Sequence, residues 1–312
     1  MVVVSYTQQN IFELATLNGG VFGVDSVESA YGFCRKLATD HYENFPVASV
    51  LIPKRHRNCI SAIYAFARCA DDFADEYSDI NSEARLSALA EFNSFLFQDE
   101  FFKKHSGNPI FIALHDSIIN YKLPKLPFQK LLEAFKQDIL FKQPQTLKDL
   151  EKYCSLSANP VGELVLRVFG LYNDTSSKYS DAICTGLQLL NFWQDLSIDL
   201  KNGRCFIPQE ILDKHGLSIE NLLNEKKSLI LDNCLSELYN VTSGYFRYGK
   251  NLIINLDNFR LRYEIKATLL SGCKLIKKLM KMKSSVIYNR PKLNKIDVAG
   301  VLFNLPFYIK IK

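Results

Sequence analysis

Ala62-Ile63-Tyr64-Ala65-Phe66-Ala67-Arg68-Cys69-Ala70-Asp71-Asp72-Phe73-Ala74-Asp75-Glu76 is an apolar run that closes on four acids. Apolar residues recur through it at helical intervals, and Asp71 and Asp75, four residues apart, share one face of that helix. Like charges at this spacing destabilise an isolated helix by roughly 0.2–0.5 kcal/mol. The pattern returns in Leu187-Gln188-Leu189-Leu190-Asn191-Phe192-Trp193-Gln194-Asp195-Leu196-Ser197-Ile198-Asp199, where Asp195 and Asp199 close a second apolar run. A lone Asp-x-x-x-Asp is commonly a solvated helix face, and Asp75 and Asp79 repeat the spacing here. Ending a core helix twice, it predicts two carboxylate rows facing each other across a cavity. Divalent cations holding a diphosphate are the candidates that offset the repulsion. Mg²⁺ suits such oxygen donors because it binds few carboxylates and completes its shell with water and substrate phosphate. Arg68, one turn before Asp71, and Arg204, just past Asp199, are candidate phosphate contacts.

The rest of the chain agrees with a helical enzyme. Of its 312 residues 47% are hydrophobic and 23% charged, enough for a substantial core, while glycine (14) and proline (10) are too few for a turn-rich sheet protein. The net charge is +5, and lysines gather late at Lys274, Lys277, Lys278, Lys281 and Lys283. That cluster reads as a solvated helix face, with an acidic lipid surface or an anionic ligand as alternatives. Eight cysteines stand singly with no Cys-x-x-Cys pair, which predicts reduced, mostly buried thiols of a cytoplasmic protein. No signal-peptide pattern opens the chain, and no uncharged stretch reaches the roughly eighteen apolar residues of a membrane span. The expectation is a soluble protein, or one peripheral at a membrane. No Gly-rich phosphate loop, histidine metal spacing or Ser/His/Asp arrangement is present, and no nucleic-acid partner is expected.

Residues 1–25 read as a loose lead-in and 26–312 as a single all-helical domain. Helices are expected at about Ser26–Tyr42, Lys54–Asp79, Ser82–Phe102, Ile110–Tyr121, Phe128–Phe141, Leu147–Leu171, Lys178–Leu200, Ser218–Leu231, Cys234–Leu256 and Tyr263–Lys283. The segment Tyr153-Cys154-Ser155-Leu156-Ser157-Ala158-Asn159-Pro160-Val161-Gly162-Glu163 combines small residues with a proline that can kink a helix. It suits either tight helix packing or a bend that opens space for an apolar ligand near Tyr153. The apolar tail Val298–Ile309, followed by Lys310 and Lys312, either packs on the bundle or docks on a bilayer.

From about Ala30 to Lys283, the order and separation of these three segments resemble the squalene/phytoene synthase family, the head-to-head branch of the trans-isoprenyl diphosphate synthases. The resemblance implies an all-α isoprenoid synthase bundle around a central apolar cavity. Asp71 and Asp75 on one side, and Asn191, Asp195 and Asp199 on the other, would hold Mg²⁺ and diphosphate. Arg68 and Arg204 match family arginines near the phosphates, Gln188 lines the same helix, and Tyr153 matches a tyrosine facing the reacting carbons. Phe66, Phe192 and Trp193 are further aromatic faces for a carbocation. The stretch His41-Tyr42-Glu43-Asn44-Phe45-Pro46-Val47-Ala48-Ser49 looks like the hydroxysqualene synthase branch of bacterial hopanoid pathways, which puts His41 and Asn44 at the substrate. Members of that branch take presqualene diphosphate from a sister synthase and capture the cation with water, so no NADPH is expected. Phe206 departs from the family, where relatives usually carry tyrosine. Two alternatives stay open. One is a condensing synthase acting on farnesyl or geranylgeranyl diphosphate; the other is a non-catalytic assembly factor, against which the four retained aspartates argue.

Overall fold

Helical periodicity in the sequence becomes helix almost everywhere in the computed structural model, which describes residues 24, 26–40, 51–75, 81–98, 107–224 and 228–306. No strand occurs among them. Where one domain is expected over 26–312, contacts group the chain into two compact units, residues 1–140 with 163–172, and residues 141–162 with 173–312. The chain crosses from one to the other three times, so they are not successive modules.

The first unit contains α1 (Val27–Asp40), α2 (Lys54–Asp75), α3 (Ser82–Ser94), α4 (Pro109–Tyr121) and α5 (Leu126–Ile139). On α1 the stripe Ala30, Tyr31, Cys34, Leu37 and Ala38 is buried, as its 3–4 spacing requires. Asn81 and Asn108 cap α3 and α4, the latter accepting from the Ile110 amide at 2.9 Å and the Phe111 amide at 3.4 Å. The core of this unit is a set of rings: Phe66 of α2 lies 5.3 Å from Phe92 of α3, 5.9 Å from Phe111 of α4 and 5.3 Å from Phe128 of α5. All four are fully buried. The four rings come from α2, α3, α4 and α5, and the burial of each is worth about 1.5–3 kcal/mol.

The second unit is built round the long α8 (Asp174–Gln194), which packs on α12 (Leu229–Gly249) and α14 (Phe259–Met282). Before it come α6 (Leu147–Ser157) and α7 (Asn159–Val168), of which residues 163–168 belong to the first unit. Short helices α9 (Leu196–Asp199), α10 (Gln209–Lys214), α11 (Ile219–Asn224) and α13 (Asn251–Asn255) fill the connections, and α15 (Lys295–Asn304) ends the described chain. Close approach is achieved with glycine: a Cβ on Gly186 would stand 2.6 Å from the Phe246 ring, and one on Gly272 would stand 2.8 Å from it. The sole tryptophan, Trp193, is fully buried and donates to the Thr242 hydroxyl at 2.9 Å.

Three expected boundaries move for physical reasons. The helix expected over Leu147–Leu171 breaks at Ala158, because Pro160 has no amide to continue the ladder and sits at the start of α7 instead. The helix expected from Lys178 begins at Asp174, where Asn173 and Ser176 form a capping box, and it breaks at Asp195. Val298, expected to open an apolar tail, lies inside α15, which Asn294 and Asp297 cap. Of the eight cysteines six are buried, as expected of structural thiols.

Candidate active site

In the first unit the last two turns of α2 carry Arg68, Asp71, Asp72 and Asp75. A helix C-terminus bears partial negative charge, so carboxylates there are disfavoured by about 0.3–1 kcal/mol each unless cations oppose them. Two arginines do. Arg68 pairs with Asp72, whose side chain is only 2% exposed, and approaches Asp71 at 3.9 Å. Arg85, from α3, donates to the Ala74 carbonyl at 2.9 Å and so caps the acidic end of α2. Asp71 keeps 34% of its side chain exposed. Asp75 ends the helix, and its side chain lies outside the described residues. Sequence reasoning passed over Asp72, although its i,i+4 spacing from Arg68 was the available signal. This buried pair fixes the guanidinium expected to meet phosphate.

In the second unit Gln188 and Asn191 stand on α8, both half-buried, and Asp195 ends that helix in the bridge region (φ −95°, ψ 6°). The four-residue rungs survive the break, because the Asp195 amide donates to the Asn191 carbonyl at 2.8 Å and the Asp199 amide to the Asp195 carbonyl at 2.9 Å. Gly203, at φ +73°, turns the chain back. Arg204 then donates through its amide to the Asp199 carbonyl at 2.8 Å and through Nη2 to Asp199 Oδ1 at 3.0 Å. Asp199 is buried. The residue the sequence did not reveal is Arg290: its Nε meets Asp195 Oδ1, and its Nη2 lies 3.0 Å from Oδ2, a two-pronged clamp on one carboxylate. It is the only arginine after Arg262 in a stretch otherwise supplied with lysines.

The aromatic residues fall into two groups. Tyr153 lies 5.7 Å from Phe192, which stacks on Phe206 at 4.0 Å with planes 13° apart, and Phe141 closes the column 5.1 Å from Phe206. Phe192 is one residue from Asn191 and three from Asp195, so this column adjoins the second acidic row. Phe206 is therefore an integral ring of the stack. Phe66 is placed otherwise, fully buried inside the phenylalanine core of the first unit. Trp193 is likewise a core residue. His41 and Asn44, with the stretch through Ser49, lie outside the described residues, as do residues 1–23 and 307–312.

Among the described residues no group of three or more His, Cys, Asp or Glu converges as a metal cage. The donors are oxygens offered in ones and twos: Asp71, the Asn191 amide, Asp195 and Asp199. Within the second unit, the Asn191 amide, Asp195 and Asp199 are the oxygen types that suit a hard divalent ion shared with phosphate, and Asp71 is the same type in the first. No helix among the described residues is long and apolar enough to cross a membrane.

A family model described as squalene/phytoene synthase matches residues 38–297. A hydroxysqualene synthase of Rhodopseudomonas palustris is 33% identical over 228 residues, covering 73% of this chain and 76% of that protein. One from Sinorhizobium fredii is 33% identical over 250 residues, covering 80% and 83%. Among solved structures, a squalene synthase of Alicyclobacillus acidocaldarius superposes with a TM-score of 0.75 at 30% identity, covering 88% of this chain and 98% of that one.

Proposed function

Because the chain belongs to the squalene/phytoene synthase family, we propose that it is a Mg²⁺-dependent enzyme that converts presqualene diphosphate to hydroxysqualene. The observation that carries this reading is its likeness, over most of both chains, to two hydroxysqualene synthases. Asp71, Asp75, Asn191, Asp195 and Asp199 are the oxygen donors assigned to the metal and diphosphate, with His41 and Asn44 assigned to substrate. Held by these donors, Mg²⁺ would supply positive charge to offset that collecting on the departing diphosphate.

The chain's own groups account for the rest. Arg68, held by Asp72, and Arg204, held by Asp199, supply oriented guanidinium forks to phosphate oxygens. The C–O bond of the ester breaks with its electron pair going to diphosphate, which leaves a cyclopropylcarbinyl cation. Tyr153 and Phe192 face that charge with ring quadrupoles worth about 0.5–2 kcal/mol each. Ring opening gives an allylic cation, a water oxygen forms the new C–O bond, and its proton passes to solvent. No electrons are gained or lost overall, so NADPH has no place in the sequence.

Mass analysis of the product from presqualene diphosphate and MgCl₂, in ¹⁸O-labelled water and without nicotinamide, tests the proposal. The expected product is a labelled C30 alcohol, lost on adding EDTA. Turnover of farnesyl diphosphate to a C30 product, or NADPH-dependent formation of a hydrocarbon, would overturn it in favour of a condensing synthase. Asp71→Asn and Asp195→Asn should each abolish turnover; an intact biological role in either variant would favour an assembly factor.

A further inference from the structure

Helix α15 carries its apolar side chains on the wrong face for a helix that only packs on its neighbours. Ile296 is 79% exposed, Val298 48%, Leu302 59% and Phe303 73%, while only Val301 and Asp297 point inward as buried residues. At 100° per residue, Ile296, Val298, Ala299, Leu302 and Phe303 form one broad outward arc with Lys295 in its midst. The inner face is the polar one. Asp297 accepts from the Asn294 amide at 2.9 Å, pairs with Lys278, and lies 3.5 Å from Lys274. Lys278 also donates to the Lys292 carbonyl at 2.8 Å. A Cβ on Gly300 would come within 2.7 Å of the Lys274 ammonium, which places this inner face against the lysine side of α14.

Charge says what the outer face meets. Between Glu264 and Asp297 the sequence has nine basic residues and no acid. Lys274 and Lys278 are spent on Asp297, but Lys277 and Lys281, three residues further along the same helix, are exposed, as are Lys292 and Lys295. A second copy of the chain would bring lysine against lysine. An anionic bilayer accepts both features, since apolar side chains enter the headgroup boundary while lysines stay at the phosphates.

We propose that the outer face of α15 and its lysine collar dock on an anionic lipid surface. The inference stands apart from the reaction assigned above. Flotation of the full chain with phosphatidylcholine vesicles, with and without phosphatidylglycerol, tests it. Binding is expected only to the anionic vesicles and is expected to fall with added salt. Ile296→Ser/Leu302→Ser should weaken it about tenfold or more, given what apolar side chains gain on leaving water. Lys292→Gln/Lys295→Gln should weaken it about fivefold per lysine. These side chains are exposed, so melting curves of the variants should match the parent and exclude misfolding. Failure to float with anionic vesicles would overturn the proposal, as would binding that both variants leave unchanged. So would sedimentation velocity showing a dimer that Ile296→Ser/Leu302→Ser dissociates, which would make a second copy the occupant.

Discussion

Gly162→Ala is the sharpest test of how the second unit is packed. A Cβ built there would collide with the Ser180 hydroxyl and stand 2.7 Å from Cys184 Sγ, both on α8. Each of those atoms sits one torsion from its backbone, inside a helix where one of the three χ1 wells is closed, so neither can swing freely aside. Overpacking of this kind costs about 1–3 kcal/mol, and two simultaneous contacts put it in the upper half of that range. Alanine gains about 1 kcal/mol over glycine in a helix. The net expectation is a loss of about 1–2 kcal/mol. The Thr185–Asn159 hydrogen bond, 3.1 Å and one turn along the same interface, should open with it. Denaturant unfolding followed by Trp193 fluorescence reads this directly, since that buried indole lies in the same unit. The decisive measurement is the background. In Ser180→Ala/Cys184→Ala the obstructing atoms are gone, the nearest remaining atom being the Cβ of residue 180 at 3.7 Å. There Gly162→Ala should become neutral or stabilising by up to about 1 kcal/mol. An equal loss in both backgrounds would refute the packing argument.

Phe192→Leu removes the ring between Tyr153 and Phe206; a stability loss of about 1–2 kcal/mol is expected, with kcat falling about tenfold and KM changing little. A fall in KM-limited turnover alone would show that the column binds substrate without meeting charge. Arg290→Gln releases both Asp195 oxygens, so Mn²⁺ titration by electron paramagnetic resonance should show affinity for the free ion rising about fivefold, the worth of a part-exposed pair. Unchanged affinity would remove Asp195 from the metal's ligands. Asp297 is held at a pKa of about 2, below the ordinary 3.8, chiefly by the hydrogen bond from Lys278 and then by the Asn294 amide. The unfolded chain takes up that proton first as pH falls, so the stability Asp297 lends is whole above about pH 4 and is lost toward pH 2. Hydrogen exchange in α15 should accelerate across that window, and Asp297→Asn should flatten the response.

Local pattern made most of the helices legible. Tyr31, Cys34, Leu37 and Ala38 on α1, and Cys59, Ile60, Ile63 and Ala70 on α2, are buried as helical spacing requires, while Ala67 on the second stripe is half-buried and Tyr42 of the first lies outside the described residues. The break at Asp195 left no such trace, because apolar residues run on through Leu196 and Ile198 and only backbone geometry interrupts them. Helix α15 was read as a tail since its exposed face is apolar, which periodicity cannot tell from a packed one. Its start was nonetheless written in Asn294 and Asp297, a capping box three residues apart. The pairing of Arg290 with Asp195 spans 95 residues, and no local rule reaches that far. Tyr153, Phe192 and Phe206 illustrate the same limit: each was singled out, yet their stacking depends on a turn at Gly203 that brings the third ring back to the first two.

The two acidic rows are not equivalent, and the difference makes a prediction about order. In the first unit Arg68 is committed to buried Asp72, and Asp71 remains a third exposed with that guanidinium 3.9 Å away, long for a charge-assisted hydrogen bond. In the second unit Arg204 reaches Asp199 at 3.0 Å and Arg290 grips Asp195 with both prongs. A cation arriving alone competes with two arginines at the second row. Diphosphate changes the competition, because its oxygens give Arg204 and Arg290 alternative partners of higher charge and so uncover Asp195 and Asp199. Asp195→Asn should therefore leave Mn²⁺ affinity nearly unchanged without diphosphate. With inorganic diphosphate present, Asp195→Asn should lower it severalfold. If Asp195→Asn weakens binding as much without diphosphate as with it, the arginines are not competitors of the metal, and their place beside the carboxylates is structural only.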